Sequence, residues 1–185
     1  MCGIVGAIAE RDVTPILIEG LRRLEYRGYD SAGVALLRDD GIDRVRCVGK
    51  VQALVDKMGA APPRGVLGIA HTRWATHGVP AEENAHPMVS RGRLALVHNG
   101  IIENYAVLKN ALIAEGHSFS SATDTEVLVH LIEEIQNEGN LALEEAVRLA
   151  LARVEGAYAI AVIDRNNPDV LVGARKQSPL VVGIG

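Results

Sequence analysis

Cysteine and long apolar runs are scarce in this 185-residue chain, and each absence excludes a class of protein. The two cysteines, Cys2 and Cys47, give no disulfide framework, so a reducing compartment such as the cytoplasm fits best. No apolar run approaches the ~20 residues that a membrane helix needs. Charged residues at 10–12 come too early for the apolar region of a signal peptide. The composition therefore argues against a disulfide-rich secreted scaffold and against a membrane protein.

Several ligand-binding signatures are also missing. A net charge of −4 argues against nucleic acid or an anionic membrane as the main partner. No Walker sequence and no GxGxxG follows a predicted strand, so no phosphate-cradling cofactor site is expected. His71, His77, His86 and His98 fall in one region, but they lack the spacing of a zinc site, and no CxxC pair occurs. We therefore expect neither a cofactor nor a metal.

The chain has the size and patterning of one globular domain. Its 48% apolar and 23% charged residues are ordinary for a soluble protein, and 185 residues suffice for one well-buried core. Apolar periodicity predicts strands at about 3–9, 32–38, 43–49, 66–72, 93–98, 157–164, 169–174 and 179–184. It predicts helices beginning after Asp12 and at about 51–59, 102–115, 124–138 and 141–155. Because strands and helices come in groups, an α+β layered fold is favoured over a doubly wound parallel sheet.

Three local features complete the expected organisation. Thr123 and Glu126 have the spacing of a capping box at the start of the helix at 124–138. Residues 73–92 form a long polar segment between two strands, and loops of that length are usually functional or disordered. The apolar end of the chain, at 180–185, differs from the polar terminus that most proteins have. We therefore expect the chain to be a piece of a longer polypeptide.

Cys2 is a candidate nucleophile. Removal of Met1 would give this residue both a thiol and a free α-amine, whose pKa of about 7.7–8.0 leaves it partly unprotonated near pH 7. A base beside a thiol makes it more useful in acyl transfer. Alternatively, Cys2 could simply open a buried strand, because free cysteine packs as a small hydrophobe. Cys47 alternates with Arg44 and Arg46, which predicts a position on the inward face of a strand.

Two further segments carry charged groups that suit an amino-acid ligand. Segment 71–78, HTRWATHG, opens the long loop and holds the only tryptophan. There Arg73 could bind a carboxylate with help from the neighbouring hydroxyl and imidazole groups, or the segment could be an anchored surface loop. Asp124 could pair with a substrate ammonium, or it could be there because anions stabilise a helix N-terminus.

Two glycine-containing segments have both a chemical and a conformational interpretation. At 98–100, His-Asn-Gly follows a predicted strand, where an amide and a backbone N–H could face an oxyanion. An ordinary Asn-Gly turn is the alternative. At 26–33, a glycine-containing connection could bring Arg27 near the start of the chain, although a plain turn explains Gly28 equally well.

Taken together, these segments resemble the glutaminase domain of class II glutamine amidotransferases. The resemblance runs from Cys2 to the last residues. It is carried by CGIVGAIA at 2–9, RRLEYRGYDSAG at 22–33, HTRWATHG at 71–78, NAHP at 84–87, HNGIIEN at 98–104 and TDTEV at 123–127. It implies a four-layer αββα sandwich of the N-terminal-nucleophile hydrolase type, with L-glutamine as substrate.

The resemblance also implies a catalytic set. Cys2, once Met1 is removed, would attack the glutamine side-chain amide, and its α-amine would move the proton through water. The Asn99 side chain and the Gly100 N–H would form the oxyanion hole. Arg27 and Gly28 would orient the nucleophile end. If Met1 is retained, the α-nitrogen is an amide and cannot act as the base.

A glutamine-binding set follows from the same resemblance. Arg73, Thr76 and His77 would hold the α-carboxylate of the substrate. Asp124 would hold its α-ammonium. Trp74 would belong to a loop that closes over bound glutamine, keeping water away and helping to retain ammonia. A non-catalytic glutamine-binding module would need Arg73 and Asp124 too, but it would need neither the N-terminal thiol nor the pair at 99–100.

Within the family, the segments at 71–78 and 98–104 resemble the hexosamine-synthesis branch most, and a purine-synthesis branch is the alternative. In the former, the ammonia converts fructose 6-phosphate to an amino-sugar phosphate in a sugar isomerase domain, and the parent enzyme is expected to be a homo-oligomer. We interpret residues 1–185 as a glutaminase domain truncated at its C-terminal end, without the isomerase domain. The sugar would then bind outside this chain.

Overall fold

Strands and helices occur in groups along the chain, in a computed structural model that describes residues 2–75 and 78–184. The strands are β1 Gly3–Ile8, β2 Ser31–Arg38, β3 Gly41–Val48, β4 Leu67–Arg73, β5 Met88–Ser90, β6 Leu94–Ile102, β7 Gly156–Asp164 and β8 Asn167–Lys176. The helices are α1 Thr14–Leu24, α2 Val51–Met58, α3 Tyr105–Ala114, α4 Thr125–Gly139 and α5 Leu143–Ala152. Within the described ranges, no helix has the length and apolar character that crossing a membrane requires.

The strands form two antiparallel sheets. The first has the order β1-β4-β2-β3 and the second the order β5-β6-β7-β8. In the first sheet, Gly3 lies opposite Thr72, so the start of the chain is paired with the end of β4. This register places Cys2 beside Arg73, the next residue along β4.

Three apolar clusters separate four layers. Helices α1 and α2 cover the outer face of the first sheet, where Leu17, Leu21 and Leu54 are fully buried. Between the sheets, side chains from both inner faces meet, among them Ile69 of β4 and Val97 of β6. Helices α3, α4 and α5 cover the second sheet through the third cluster. The αββα arrangement confirms the α+β layered fold.

Local sequence signals explain the beginning of α1. Pro15 lies in its first turn, where a missing N–H costs nothing. The Asp12 side chain accepts hydrogen bonds from the backbone N–H groups of Thr14 and Gly65, at 3.1 and 3.3 Å. The helix begins two residues after Asp12, and the residue before it is Val13, so the expectation that Asp12 itself caps the helix is wrong. Cys47 lies where it was predicted, buried in β3 against the layer of α1 and α2.

Two predictions about secondary structure are wrong. Residues 179–184 form no strand, although their composition is apolar, because no neighbouring strand pairs with them; Val181 and Ile184 are exposed. The polar segment 73–92 contains the short strand β5, which is only three residues long and has no detectable alternation.

The capping-box prediction at α4 is also wrong. The residue before the helix is Asp124, and the Glu126 carboxylate accepts hydrogen bonds from Ser120 and Ser121 instead. Burial alone would raise the pKa of Glu126, but these hydrogen bonds and the nearby His130 imidazole lower it to about 2. Glu126 therefore stays ionised and ties down the segment that leads to Asp124.

Candidate active site

A cavity of about 890 Å³ lies where β1, β4, β6 and the start of α4 meet. Its volume falls in the range of small-molecule sites. The residues that line it are Cys2, Gly3, Ile4, Leu24, Arg27, Arg73, Trp74, His86, His98, Asn99, Gly100, Ile101, Thr123, Asp124, Thr125, Ala159, Ser178, Pro179, Leu180 and Val181. The fold thus brings together seven of the predicted site residues from five separate segments: Cys2, Arg27, Arg73, Trp74, Asn99, Gly100 and Asp124.

The Cys2 thiol is held against the backbone at the end of β4. The N–H of Trp74 donates to its sulfur at 3.1 Å, and the sulfur lies 3.5 Å from the Trp74 carbonyl oxygen. Burial raises the pKa of Cys2, whereas the Trp74 hydrogen bond and the positive charge of Arg73 act in the opposite direction. A thiol that lines a cavity, accepts one backbone N–H and lies near a cation suits a nucleophile better than an inert core position.

Arg73 is a buried cation at the cavity wall. Burial lowers the pKa of its guanidinium, and the nearby acidic groups of Asp30, Cys2 and Asp124 oppose that effect. Asp30 also fixes the segment around Arg73, because its carboxylate accepts the N–H of Ala75 at 2.5 Å and its own N–H donates to the Arg73 carbonyl at 2.8 Å. A fixed, desolvated guanidinium is a suitable partner for a carboxylate.

Asp124 approaches the same cavity from the start of α4. Its carboxylate accepts the N–H of Ile102 at 2.8 Å, and the residue is buried. Although it stands immediately before α4, its side chain makes no capping hydrogen bond to that helix. A capping hydrogen bond therefore does not explain this residue, and its negative charge faces the space beside Arg73 and Cys2.

Asn99 and Gly100 lie within β6, not in a turn at its end. Strand β6 continues to Ile102 and pairs with β7 through Asn99↔Ala159 and Gly100↔Tyr158, so the alternative of an Asn-Gly turn is wrong. The Asn99 Oδ1 atom lies 2.7 Å from Nε2 of His71. With Oδ1 engaged there, the amide N–H₂ group is the donor that Asn99 can offer to a ligand.

Gly100 is required by its backbone conformation and by its neighbours. Its φ of +138° is unfavourable for other residues, and a Cβ there would lie 2.0 Å from the carbonyl oxygen of Ala157. The close approach of β6 and β7 at this point leaves no room for a side chain. Glycine is therefore necessary here for the strand that carries Asn99 into the cavity.

Gly100→Ala should lower the free energy of unfolding by at least about 2 kcal/mol, because the strand must shift to relieve the overlap. Gly92→Ala is the matched control: it also has a positive φ, +68°, but a Cβ there meets nothing within 4 Å. Its expected cost is about 1 kcal/mol. Thermal and urea melts of both variants measure the difference, and equal losses would contradict the steric argument.

The remaining predicted residues lie in different places. Arg27 lines the cavity with Cys2. Gly28 does not line it; it lies under Trp74, where a Cβ would be 3.3 Å from the indole ring, and its φ is +71°. Trp74 borders the cavity with 53% of its surface exposed, as a residue of a covering loop would be. Thr76 and His77 lie outside the described residues.

Sequence reasoning did not assign a site role to three buried imidazoles: His86 and His98, which line the cavity, and His71, which does not. His98 lies 2.9 Å from the hydroxyl of Thr125 through Nδ1, and its backbone N–H donates to Nδ1 of His86 at 3.3 Å. The rings of His71 and His86 stack with their centroids 4.2 Å apart. One signal was available for His71: it is two residues before Arg73 on the same strand and therefore shares its face.

A separate cluster of potential metal ligands lies in the helical layer. Within the described part of the chain, His117, His130 and Glu133 have ligand atoms within 4.8 Å of one another. Ser90 already donates to Glu133 at 2.5 Å and lies 2.8 Å from Nδ1 of His130, and the Arg93 guanidinium is 3.7 Å from Glu133. These contacts explain why the three side chains lie close together: they belong to a hydrogen-bonded part of the core. The expected lack of a metal stays a prediction.

Comparison with known proteins identifies the family. The sequence pattern of the glutamine amidotransferase domain family matches residues 71–183. The chain is 57% identical, over its whole length, to glutamine–fructose-6-phosphate aminotransferase (isomerizing) of Legionella pneumophila strain Paris, and it is equally similar to that of Pseudomonas aeruginosa strain PAO1. It spans 31% and 30% of the length of these relatives.

A solved structure supports the same assignment. The glutamine phosphoribosylpyrophosphate amidotransferase of B. subtilis, complexed with ADP and GMP, superposes with a TM-score of 0.71 at 28% identity, over 89% of this chain and 35% of that one. The shared two-sheet sandwich confirms the N-terminal-nucleophile hydrolase fold. Sequence and structure together show that the chain belongs to the family of class II glutamine amidotransferase domains.

Proposed function

We propose that this domain hydrolyses the side-chain amide of L-glutamine to glutamate and ammonia, with Cys2 as the nucleophile. The observation that carries the proposal is the convergence of four groups on one cavity: the thiol of Cys2, the amide of Asn99, the cation of Arg73 and the anion of Asp124. A thiol and an amide donor suit acyl transfer. A buried cation and a buried anion suit a zwitterionic amino acid.

Glutamine binds with its α-carboxylate on Arg73 and its α-ammonium on Asp124. This orientation leaves the side-chain amide to extend toward Cys2 and Asn99. Thr76 and His77, which follow Arg73 in the sequence, complete the carboxylate site, and Trp74 covers the bound substrate. Because Arg73 and Asp124 are both buried, an amino acid that satisfies them replaces water in the cavity.

The chemical steps follow from this orientation. After Met1 is removed, the α-amine of Cys2 takes the thiol proton, directly or through water, as the sulfur attacks the amide carbon. The carbonyl oxygen becomes an oxyanion that the Asn99 amide and the Gly100 N–H stabilise. The proton passes to the leaving nitrogen, ammonia departs, and a γ-glutamyl thioester remains on Cys2. Water then hydrolyses the thioester, releasing glutamate and restoring the thiol. Arg27 and Gly28 keep the nucleophile end in place.

The whole enzyme is a hexosamine-synthesising aminotransferase. In it the ammonia converts fructose 6-phosphate to glucosamine 6-phosphate in a sugar isomerase domain beyond this chain. The enzyme is a cytoplasmic homo-oligomer, and residues 1–185 form part of its glutaminase domain. The support is the 57% identity to glutamine–fructose-6-phosphate aminotransferases over the full chain, against 28% to the phosphoribosylpyrophosphate amidotransferase over 89% of it. That difference disfavours the purine-synthesis alternative.

An intact-mass experiment combined with an ammonia-release assay tests the activity. The protein should lose one methionine, release ammonia from glutamine, and form a single covalent adduct at Cys2 with 6-diazo-5-oxo-norleucine. A protein that has lost Met1, binds glutamine and yet neither turns it over nor takes up the reagent would support the rival, a non-catalytic glutamine-binding module. If the sample retains Met1, cleavage with an aminopeptidase should restore activity.

Asn99→Ala should lower kcat by roughly 10²–10³-fold with a much smaller change in KM, because the amide contact strengthens as the oxyanion forms. Asn110→Ala, an exposed asparagine of α3, is the matched control and should leave both constants unchanged. Steady-state glutaminase kinetics measure the effect. A raised KM with unchanged kcat would place Asn99 in ground-state binding instead.

A further inference from the structure

The Asn99 side chain can serve an oxyanion only in one of its two amide orientations. With Nδ2 toward the substrate it donates a hydrogen bond; rotated by half a turn, it presents an oxygen that repels the developing negative charge. The two orientations have almost the same shape, so neighbouring hydrogen bonds decide between them. The neighbour that bonds Asn99 is His71, through Nε2 and Oδ1 at 2.7 Å.

We propose that His71 is a positioning residue for glutamine hydrolysis, whose Nε2–H group holds the Asn99 amide so that Nδ2 faces the developing oxyanion. The proposal rests on the proposed glutaminase activity and extends it to a residue that does not line the cavity. The hydrogen bond joins the two sheets, because His71 belongs to β4 and Asn99 to β6. A contact from the first sheet therefore fixes the position of the Asn99 amide, which belongs to the second sheet.

The tautomer of His71 follows from its surroundings. The residue is 0% exposed, and burial lowers its pKa to about 3, so the ring is neutral and carries one proton. Among the residues that the structure describes, none is a hydrogen-bond partner of Nδ1 of the ring. A proton on Nδ1 would be a buried, unpaired donor, which is rarer in proteins than an unpaired acceptor. The proton therefore lies on Nε2, where it donates to Oδ1 of Asn99.

The ring of His71 is itself held in place. It stacks on His86 with 4.2 Å between centroids and 28° between planes. Nδ1 of His86 accepts the backbone N–H of His98 at 3.3 Å. His98 is the residue directly before Asn99. Burial also holds the pKa of His86 well below its usual range, so the stack contains two neutral rings. The stacked rings are thus hydrogen-bonded to β6, the strand that carries the Asn99 side chain.

Three variants separate this role from packing. His71→Phe keeps a ring on His86 but removes the N–H donor, and it should lower kcat for glutamine by roughly 10- to 100-fold, approaching the loss of an oxyanion donor, with little change in KM. His71→Gln, whose amide can also donate to Oδ1, should recover most of kcat. His117→Phe replaces a buried histidine of the helical layer and should leave both constants unchanged.

The decisive measurement is a double-mutant cycle with Asn99→Ala. If His71 acts through the Asn99 amide, adding His71→Phe to Asn99→Ala should change kcat by no more than about 2-fold, the scatter of independent sites. Active-site titration with 6-diazo-5-oxo-norleucine and thermal melts correct each variant for its folded fraction. Multiplicative losses, or an equally damaged His71→Gln, would overturn the proposal.

The cycle also distinguishes failure of this inference from failure of the proposed function. An inactive wild-type protein from which Met1 has been removed would reject the glutaminase activity itself. An active wild type in which Asn99→Ala lowers kcat but His71→Phe does not would reject only the role of His71.

Discussion

Cys2→Ala should abolish glutamine hydrolysis while leaving glutamine binding nearly intact. In the proposed mechanism the sulfur is the atom that forms the thioester, and no other thiol lines the cavity among the residues that the structure describes. We expect kcat to fall on the order of 10⁴-fold or more, as it does when hydrolases lose their nucleophile. Binding should persist because, in the proposed orientation, Arg73 and Asp124 hold the two charged ends of the substrate. Ammonia release measures the first effect, and isothermal titration with glutamine measures the second.

Cys47→Ala is the matched control for the nucleophile. Cys47 is the other cysteine, and it is buried in β3 against the layer of α1 and α2, away from the cavity. Loss of its sulfur should cost some stability through a small cavity, with no change in turnover per folded molecule. Equal losses of activity in the two variants would mean a general folding effect and would remove the assignment of Cys2.

Apolar periodicity predicted most of the fold because each layer buries one face of its elements. The stripe of Leu17 and Leu21 on α1 and the buried runs of β2 and β4 are local patterns that the layers require. The prediction of a strand at 179–184 was wrong because composition was its only basis. The composition of this segment suits a strand, but strand formation also needs a hydrogen-bonding neighbour, which composition does not report.

Seven of the residues that line the candidate site were predictable from the sequence, but their arrangement was not. Cys2 and Arg73 become neighbours through the antiparallel register of β1 with β4, which sets Gly3 opposite Thr72. Asn99 reaches the same cavity from the second sheet, and no local pattern specifies how two sheets are stacked. The turn chemistry of Asn-Gly also allowed a wrong alternative at 98–100, because the positive φ of Gly100 occurs here within a paired strand.

The three buried imidazoles, of His71, His86 and His98, show what residue types alone do not reveal. A buried histidine at 71 is equally consistent with a metal ligand, a base or a core hydrogen bond. The choice between these roles depends on which atom faces Nε2, and that atom is Oδ1 of Asn99, 28 residues further along the chain. Such a long-range pairing becomes visible only when both sheets are in place.

Arg73→Ala and Asp124→Asn should have opposite effects on substrate analogues, because each removes the partner of a different charge on glutamine. Arg73→Ala should penalise glutamine strongly yet have little effect on glutamine α-amide, whose carboxylate is already amidated. Asp124→Asn should penalise glutamine but spare glutaramate, which lacks the α-ammonium. A buried charge left without its partner costs about 3–5 kcal/mol, so kcat/KM should fall by more than 100-fold in the penalised combinations.

Stability must be measured beside kinetics in this test, because Asp124 also accepts the backbone N–H of Ile102 and precedes α4. Asn at this position keeps an oxygen for that N–H, so Asp124→Asn should lose little stability while losing the ammonium contact. Arg148→Ala and Asp169→Asn change exposed charges far from the cavity lining and should leave all analogues unaffected. If Asp124→Asn lowers the melting temperature but does not discriminate between glutamine and glutaramate, Asp124 serves the helix start and not the substrate.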